Sequence, residues 1–258
     1  MMRVLAKIAY DGSAFSGFAP QKEQGIVSVS NTLYKILSRV GIDSKILAAG
    51  RTDKGVHASA QMITFDVTHR WDLAYLRTLL NKKSYPHIFF ISLRYVSEDF
   101  HPRFWATWRA YRYLVGLQMP NPFAARFVSY EQFGDIHRLQ EALRLFMGSH
   151  DFVFFKKQGT HSKDSIRTIM QSYAYVYRDF LIVHIRANGF LRAQVRLMLG
   201  ASFSYARGEL SKPQLQAQID AQSRYHSTPV SPNGLYLCGV GYSSMSVSTM
   251  LSSGEKIL

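Results

Sequence analysis

Two hydrophobic patterns alternate along the N-terminal part of the chain. Val4, Ala6, Ile8 and Tyr10 recur at every second position, which predicts a strand with one buried face that ends at the turn Asp11-Gly12-Ser13. Further on, capping residues precede apolar residues at helical spacing. The patterns first predict a helix capped by Ser30, with Leu33, Leu37 and Val40 on one face and Gly41 past its end. They then predict a strand over residues 60–67, a helix capped by Asp72 that runs through Leu73, Leu76 and Leu80, and a strand over residues 87–96.

The second half of the chain has a similar organisation. Its pattern predicts a strand over residues 107–117, then a helix capped by Asp135 with Ile136, Leu139, Leu143 and Phe146 inward and Gly148 at its end. A hairpin of residues 169–177 and 180–187 about Arg178-Asp179 follows. The last predicted elements are a helix over residues 191–205 and a closing strand over residues 234–242. We therefore predict an α+β protein of two similar α/β units, residues 1–105 and 106–258, the second ending in a short polar tail after Tyr242. No Pro/Gly/Ser-rich linker separates the units, so we expect them to share a packed cleft.

The net charge of the chain gives the first indication of its function. Its 31 Lys and Arg residues against 17 Asp and Glu residues give a net charge of +14, which attracts polyanions and above all nucleic acid. Aromatic residues make up 14% of the chain and alternate with arginine in residues 109–113 and 175–178, a mixture suited to phosphates and stacked bases. The alternative interpretation is that the positive charge keeps the protein soluble and that the aromatic rings pack in the hydrophobic core.

Several classes of protein are disfavoured. Lys7 interrupts the apolar N-terminal residues too early for the hydrophobic core of a signal peptide. The sequence also contains no run of about 18 apolar residues, the length that would predict a membrane span. The single Cys238 forms no internal disulfide or thiolate cluster, which favours the cytoplasm. No phosphate-binding glycine-rich motif of the Walker or dinucleotide type occurs. We expect neither metal nor cofactor, and we interpret the scattered histidines as structural: His57, His101, His150 and His161.

The segment Ala48–Ala58 carries the candidate chemistry. Gly50 and Gly55 bracket a short loop in which the backbone can approach a ligand closely, with Asp53 at the centre and cations beside it. Such a loop can present a carboxylate to a substrate. From composition alone, a turn in which Asp53 bonds its own backbone is the more common interpretation.

A family resemblance extends this observation along nearly the whole chain. The segment Gly50–Ala58 is accompanied, in order, by these segments: Tyr10-Asp11-Gly12 with Phe15 and Gly17, residues 99–104, Ala106-Thr107, Tyr111-Arg112-Tyr113, Gly148 with residues 150–152, Arg167-Thr168-Ile169, residues 187–191 with Val195-Arg196, and residues 234–237. Together they resemble the tRNA pseudouridine synthase A (TruA) family, in which the aspartate of Gly-Arg-Thr-Asp is catalytic. The resemblance implies the pseudouridine synthase fold, with a mainly antiparallel sheet through both units and the Asp53 cleft between them.

The resemblance also implies residue roles. It assigns Asp53 as the catalytic carboxylate and Arg196 as its basic partner, Tyr111 as the residue that stacks on the target base and is suited to removing the C5 proton, Arg51 as the cation beside the extruded nucleotide, and Leu235 as a wall of the base pocket. Taken without the family, Arg196 reads as an exposed helix charge, and Tyr111 and Leu235 read as packing residues. The implied function is isomerisation of uridine to pseudouridine at positions 38, 39 and 40 of the anticodon stem-loop of tRNA, by a cytoplasmic homodimer without cofactor.

The sequence departs from the family pattern at four places, which bear on RNA contacts more than on chemistry. They are Phe18-Ala19-Pro20 in place of tryptophan and polar residues, Lys54 in place of alanine, Arg192-Ala193-Gln194 in place of a His-Met pair, and residues 81–86, which lack the family's leucine before proline. Two rival functions stay open: a non-catalytic RNA-binding module of the same fold, and a hydrolase that releases free uracil.

Overall fold

The structure is a computed structural model that describes residues 1–20, 27–159 and 164–243. The chain forms two compact units, one of residues 1–107 together with the chain from Leu237 onward, and one of residues 108–236. The predicted division into domains 1–105 and 106–258 stays a prediction, because contacts define compact units and not independently folding ones. The predicted polar tail follows Tyr242, and all of it from residue 244 onward lies outside the described residues.

The first unit is an antiparallel sheet with two helices. Its elements are β1 (Met2–Tyr10), α1 (Val29–Ser38), β2 (Leu47–Ala48), β3 (His57–Val67), α2 (Leu73–Ser84) and β4 (Ile88–Val96), with a short 3-10 turn at Gly12–Ala14. β1 lies between β3 and β4, antiparallel to both, and β2 pairs antiparallel with β3. Because Tyr10 pairs with Ala58, β3 begins at His57, three residues earlier than the sequence predicts.

The second unit is likewise an antiparallel sheet with helices. Its elements are β5 (Ala106–Gly116), α3 (Ile136–Leu145), β6 (Gly148–Asp151), β7 (Ile166–Tyr177), β8 (Phe180–Ala187), α4 (Gln194–Ala206) and α5 (Lys212–Ile219). The sheet order is β5-β8-β7-β6, each pair antiparallel. The last strand, β9 (Leu235–Tyr242), begins in this unit and continues in the first, where it neighbours β3. The α+β class is confirmed.

The predicted starts of α2 and α3 are confirmed, and the predicted cap of α1 is wrong. The side chain of Asp72 accepts the N–H groups of Ala74 and Tyr75, and that of Asp135 accepts the N–H of Arg138. Helix α1, however, is capped by Ser28, whose hydroxyl accepts the N–H of Asn31 at 3.1 Å. Ser28 has the extended backbone that a cap requires, and Ser30 is already inside the first turn.

Helices α4 and α5 show what the sequence patterns missed. α4 begins at Gln194 and not at residue 191, because Ala193 adopts a left-handed backbone with φ of 60° and the side chain of Gln194 accepts the N–H of Leu191 at 2.8 Å. α5 was not predicted, although Ser211 and Gln214 form a reciprocal capping box around its first turn. No helix within the described parts of the chain is long and apolar enough to span a membrane.

Candidate active site

The loop between β2 and β3 carries Asp53 and is tied to β3 at its start. The N–H of Ala49 donates to the Met62 carbonyl at 2.8 Å, and the side-chain amide of Gln61 donates to the Gly50 carbonyl at 2.9 Å. Asp53 itself is half-buried, and its carbonyl accepts the N–H of Val56 at 3.2 Å to close a tight turn. The loop is therefore a fixed turn on the end of a sheet.

A buried hydroxyl pair fixes the residue before Asp53. The Tyr10 phenol and the Thr52 hydroxyl share a hydrogen bond of 2.8 Å, and both residues are buried. Burial raises the pKa of the Tyr10 phenol, which therefore stays protonated and available as a hydrogen-bonding group. The Thr52 carbonyl accepts the N–H of Phe18 at 3.0 Å, so side chain and backbone of Thr52 are both held.

Two glycines bring the segment after β1 into contact with the back of this loop. A Cβ on Gly12 would lie 2.1 Å from the Val56 carbonyl oxygen, so only glycine fits there. Gly17 has a left-handed φ of 107°, and a Cβ on it would lie 3.2 Å from the Thr52 carbonyl oxygen. The Tyr10-Asp11-Gly12 and Gly17 portions of the resemblance thus act as a support for the Asp53 loop.

His57 joins the same support as a structural residue. Its Nδ1 accepts the N–H of Gly12 at 3.0 Å, and its side chain is 1% exposed. Asp11 Oδ1 lies 3.5 Å from the same nitrogen, but we regard this contact as secondary because a ring nitrogen that accepts the Gly12 N–H carries no proton to share. The structural interpretation of the histidines is confirmed here.

His101 and His150 also hydrogen-bond to the backbone. His101 Nδ1 accepts the N–H of Arg103 at 3.1 Å, and His150 Nε2 bonds the Met147 carbonyl at 2.9 Å. Burial lowers the pKa of His101, which favours its neutral form. His161 lies outside the described residues. Among the residues that the structure does describe, no group of three or more His, Cys, Asp or Glu side chains is placed to hold a metal ion.

Two cations flank the half-buried carboxylate. Arg51 and Lys54 are both exposed on the loop, on either side of Asp53 in sequence. Since the backbone between them is fixed from behind, their side chains extend toward solvent, where a polyanion would bind. The loop carries a carboxylate, a group suited to nucleophilic or general-base chemistry, beside two exposed cations.

Tyr111 belongs to the second unit, on the face of β5 that helix α4 covers. It is half-buried opposite Ile185 of β8, and its ring meets Phe190 edge-on with centroids 5.2 Å apart. Tyr113, two residues on and therefore on the same face, is fully buried and contacts Phe203 of α4. The phenol of Tyr113 donates to the Ser231 carbonyl at 3.0 Å, and burial raises its pKa.

Arg196 is held in place at the first turn of α4. Its Nε donates to the Val230 carbonyl at 2.7 Å, and its own carbonyl accepts the Val230 N–H at 3.2 Å. Within Gln194–Ala206, all of which the structure describes, every side chain but that of Arg196 is buried. The charge of Arg196 also favours ionisation of the neighbouring Tyr113. The alternative interpretation as a freely exposed helix charge is therefore wrong.

Leu235 occupies a packed position at the start of β9. It is 4% exposed, and its N–H donates to the Pro232 carbonyl at 2.9 Å. The preceding Gly234 packs so closely that a Cβ would lie 2.5 Å from the Leu114 carbonyl oxygen. Leu235 is thus fixed by its neighbours, which suits either core packing or the wall of a pocket.

The structure groups the predicted site residues by unit. Arg51 and Asp53 share the loop of the first unit, whereas Tyr111, Arg196 and Leu235 belong to the second. Sequence reasoning did not assign a role to Tyr10 or Thr52, which fix the loop. The Tyr10 pattern was visible, but its pairing with a threonine 42 residues away depends on the strand register.

Two departures from the family pattern are explained by these contacts. Phe18 is buried and its ring lies 6.2 Å from that of Tyr10, so it packs behind the loop. In Arg192-Ala193-Gln194, the glutamine side chain organises the start of α4 by bonding Leu191. Lys54 adds an exposed cation next to Asp53.

Comparisons with known proteins show the family to which this chain belongs. A family model described as tRNA pseudouridine synthase matches residues 6–104 and 142–243, which places the chain among the pseudouridine synthases, a class of isomerases. Three curated relatives, each named tRNA pseudouridine synthase A, match nearly end to end. They come from Helicobacter hepaticus (54% identity, 92% of this chain, 98% of the relative), Wolinella succinogenes (41%, 95% and 96%) and Helicobacter pylori (39%, 92% and 98%).

This chain belongs to the tRNA pseudouridine synthase A family. Matches of this identity and coverage leave no substantial part of the described chain outside the family. A chain in a crystal structure of a Cbf5-Nop10-Gar1 complex is also similar, with a TM-score of 0.35 and 9% identity over 77% of this chain and 45% of that one. A similarity this weak adds nothing to the assignment.

Proposed function

We propose that this protein isomerises uridine to pseudouridine at positions 38, 39 and 40 of the anticodon stem-loop of tRNA, with Asp53 as its catalytic carboxylate. The observation that carries the proposal is the fixed Asp53 turn. Its half-buried carboxylate stands between exposed Arg51 and Lys54, on a backbone held by Tyr10, Thr52 and Gly12.

The reaction needs few groups. The bond from ribose C1′ to uracil N1 breaks, the base rotates, C1′ bonds to C5, and the C5 proton leaves while N1 gains one. Atoms and electrons balance within the nucleotide, so no redox reagent takes part, and we propose no cofactor. Asp53 acts beside C1′ as a nucleophile, as a stabiliser of the positive charge that develops on the ribose, or as a base.

The remaining residues act on the same uridine. Tyr111, whose ring is fixed edge-on to Phe190, stacks on the base and accepts the C5 proton. Arg51 contacts the extruded nucleotide, because the reacting C1′ and C5 are not accessible in a stacked helix. Arg196 supplies the basic partner of the carboxylate, and Leu235 forms a wall of the base pocket.

We further propose that the enzyme works as a cytoplasmic homodimer on tRNA. The support for tRNA is the net charge of +14 and the names of the relatives. If the charge acts by neutralising phosphates, the logarithm of tRNA affinity falls linearly and steeply with the logarithm of salt concentration. Sedimentation of the free protein and of its tRNA complex tests the dimer.

The decisive experiment replaces Asp53 with asparagine. Asparagine keeps the shape and the turn but is a far poorer nucleophile and base, so D53N abolishes pseudouridine formation while melting temperature and tRNA affinity stay at wild-type values. Pseudouridine is measured by chemical mapping of the anticodon arm. Retained turnover in D53N would end the catalytic assignment.

The same assay separates the two rival functions. A non-catalytic RNA-binding module binds tRNA but leaves its uridines unchanged in the wild-type protein. A hydrolase releases free uracil and leaves an abasic site, whereas an isomerase leaves the mass of the RNA unchanged.

A further inference from the structure

A surface groove in the first unit has no part in the site described so far. It runs between α2 and β4 and has a volume of about 800 Å³. We call it the α2–β4 groove. Arg77 and Lys82 line it from the helix, Phe89 from the strand, and Tyr85 and Pro86 from the connection between them.

The walls of the groove are rigid. Asn81 bonds the backbone of Phe90 twice, donating to its carbonyl at 3.0 Å and accepting its N–H at 2.7 Å. Arg77 Nη1 donates to the Ile91 carbonyl at 3.2 Å. Helix and strand are therefore joined along the groove, which exists before any ligand binds.

The charge of the groove has one sign. The continuous segment Leu73–Val96, which forms both walls, contains no Asp or Glu. Arg77 and Lys82, which line the groove, and Lys83, which adjoins it in sequence, are all exposed. A surface of this kind attracts phosphates, and it disfavours a symmetric contact with a second copy of itself because the cations would face each other.

Two aromatic rings are exposed at the same place. The side chain of Tyr85 is 85% exposed and that of Phe89 is 57% exposed. Exposed rings beside cations are the combination by which proteins bind unpaired nucleotides, with bases stacked on the rings and phosphates on the cations. Tyr85 also stands where the sequence departs from the family's usual leucine before proline.

The groove is connected to the Asp53 loop by direct contacts. The carbonyl of His87 accepts the N–H of Asp11 at 2.9 Å, and the ring of Phe15 lies 6.2 Å from that of His87. Gly12, next in the chain, packs against the Val56 carbonyl of the loop. The groove and the catalytic carboxylate thus belong to one rigid framework within the first unit.

We propose that the α2–β4 groove binds the tRNA beside the target uridine, with Tyr85 and Phe89 stacking on an unpaired base and Arg77, Lys82 and Lys83 contacting phosphates. The inference rests on the proposed function in taking tRNA as the substrate. It adds a binding surface, and with it a basis for substrate choice, to the residues around Asp53.

The test compares tRNA affinity among variants of the full chain. Y85A weakens binding by about fivefold to 100-fold through the lost stacking, and Y85F, which keeps the ring, binds like wild type. K82Q/K83Q lowers the slope of log affinity against log salt by about 1.4 if both lysines contact phosphates of an unpaired strand. The matched control is K35Q/R39Q, which removes two exposed cations from α1 and its C-cap in the same unit.

The outcomes separate this inference from the proposed function. Y85A and K82Q/K83Q lose tRNA affinity, whereas D53N loses turnover and keeps binding. If K82Q/K83Q gives the same salt slope as K35Q/R39Q and Y85A binds as well as Y85F, the groove does not bind tRNA. A Y85A variant that melts normally but changes the oligomeric state instead of the tRNA affinity also overturns the inference. Absence of pseudouridine formation by the wild-type protein would instead refute the proposed function.

Discussion

Replacing Gly12 with alanine tests whether the support behind the Asp53 loop controls catalysis. The new methyl group would lie 2.1 Å from the Val56 carbonyl oxygen and 2.8 Å from the His57 nitrogen, while real Cβ atoms essentially never approach closer than 3.0 Å. To relieve this overlap, the new methyl group and the Val56 carbonyl oxygen must move apart by at least 3.0 − 2.1 = 0.9 Å. The obstructing atoms belong to backbone, so no flexible side chain can move aside.

A displacement of Val56 would also move Asp53, because the two residues are joined by a hydrogen bond. The N–H of Val56 donates to the Asp53 carbonyl, and β3 begins at the next residue, so the movement falls on the turn more easily than on the sheet. A misplacement of about 1 Å in a catalytic group costs on the order of 100-fold in rate. Overpacking of this kind also lowers the free energy of unfolding by about 1–3 kcal/mol.

The assay is single-turnover pseudouridine formation together with urea unfolding of the same preparations. Gly50 provides the matched control, because it begins the same loop but a Cβ on it meets nothing within 4 Å. G50A is expected within about 0.5 kcal/mol of wild type in stability. Our reasoning is refuted if G12A unfolds like G50A and keeps a rate within about threefold of wild type.

Three further predictions follow from the contacts above. Thr52→Val leaves the buried Tyr10 hydroxyl without this partner and lowers the free energy of unfolding by about 1–2 kcal/mol, and adding Tyr10→Phe recovers most of the loss because both polar partners are then gone; urea unfolding of the singles and the double checks this cycle. Tyr111→Phe keeps a stacking face and binds tRNA normally but turns over slowly, whereas Tyr111→Leu loses affinity as well; wild-type kinetics in both would make Tyr111 a packing residue. The bidentate contact of Arg207 lowers the pKa of Glu209 from 4.5 to about 2. The contribution of this ion pair to stability is therefore present above pH 4.5 and is lost as pH falls toward 2. Arg207→Gln should remove this part of the acid sensitivity when the free energy of unfolding is measured against pH, and an unchanged pH profile would contradict the prediction.

Local patterns predicted those parts of the fold that depend on neighbours in sequence. The alternation from Val4 to Tyr10 gave β1, Asp72 and Asp135 cap their helices, and the predicted hairpin turns at Arg178, which has a left-handed backbone. Each of these features is decided within about four residues, by side-chain periodicity or by a side chain that bonds nearby N–H groups. The Asp53 loop, too, was recognisable, because its residues are contiguous.

Tertiary structure decided what depends on residues that are distant in sequence. The Tyr10–Thr52 pair, the approach of Gly12 to Val56 and the bond from Gly12 to His57 all follow from how β1 pairs with β3, which no local pattern specifies. Arg196 is held by Val230, 34 residues away, and not by its own helix. By itself the sequence determined which residues are candidates for the chemistry. Strand register and close packing decided how rigidly they are held, because hydrogen bonds and steric contacts act over a few ångströms in space whatever the separation along the chain.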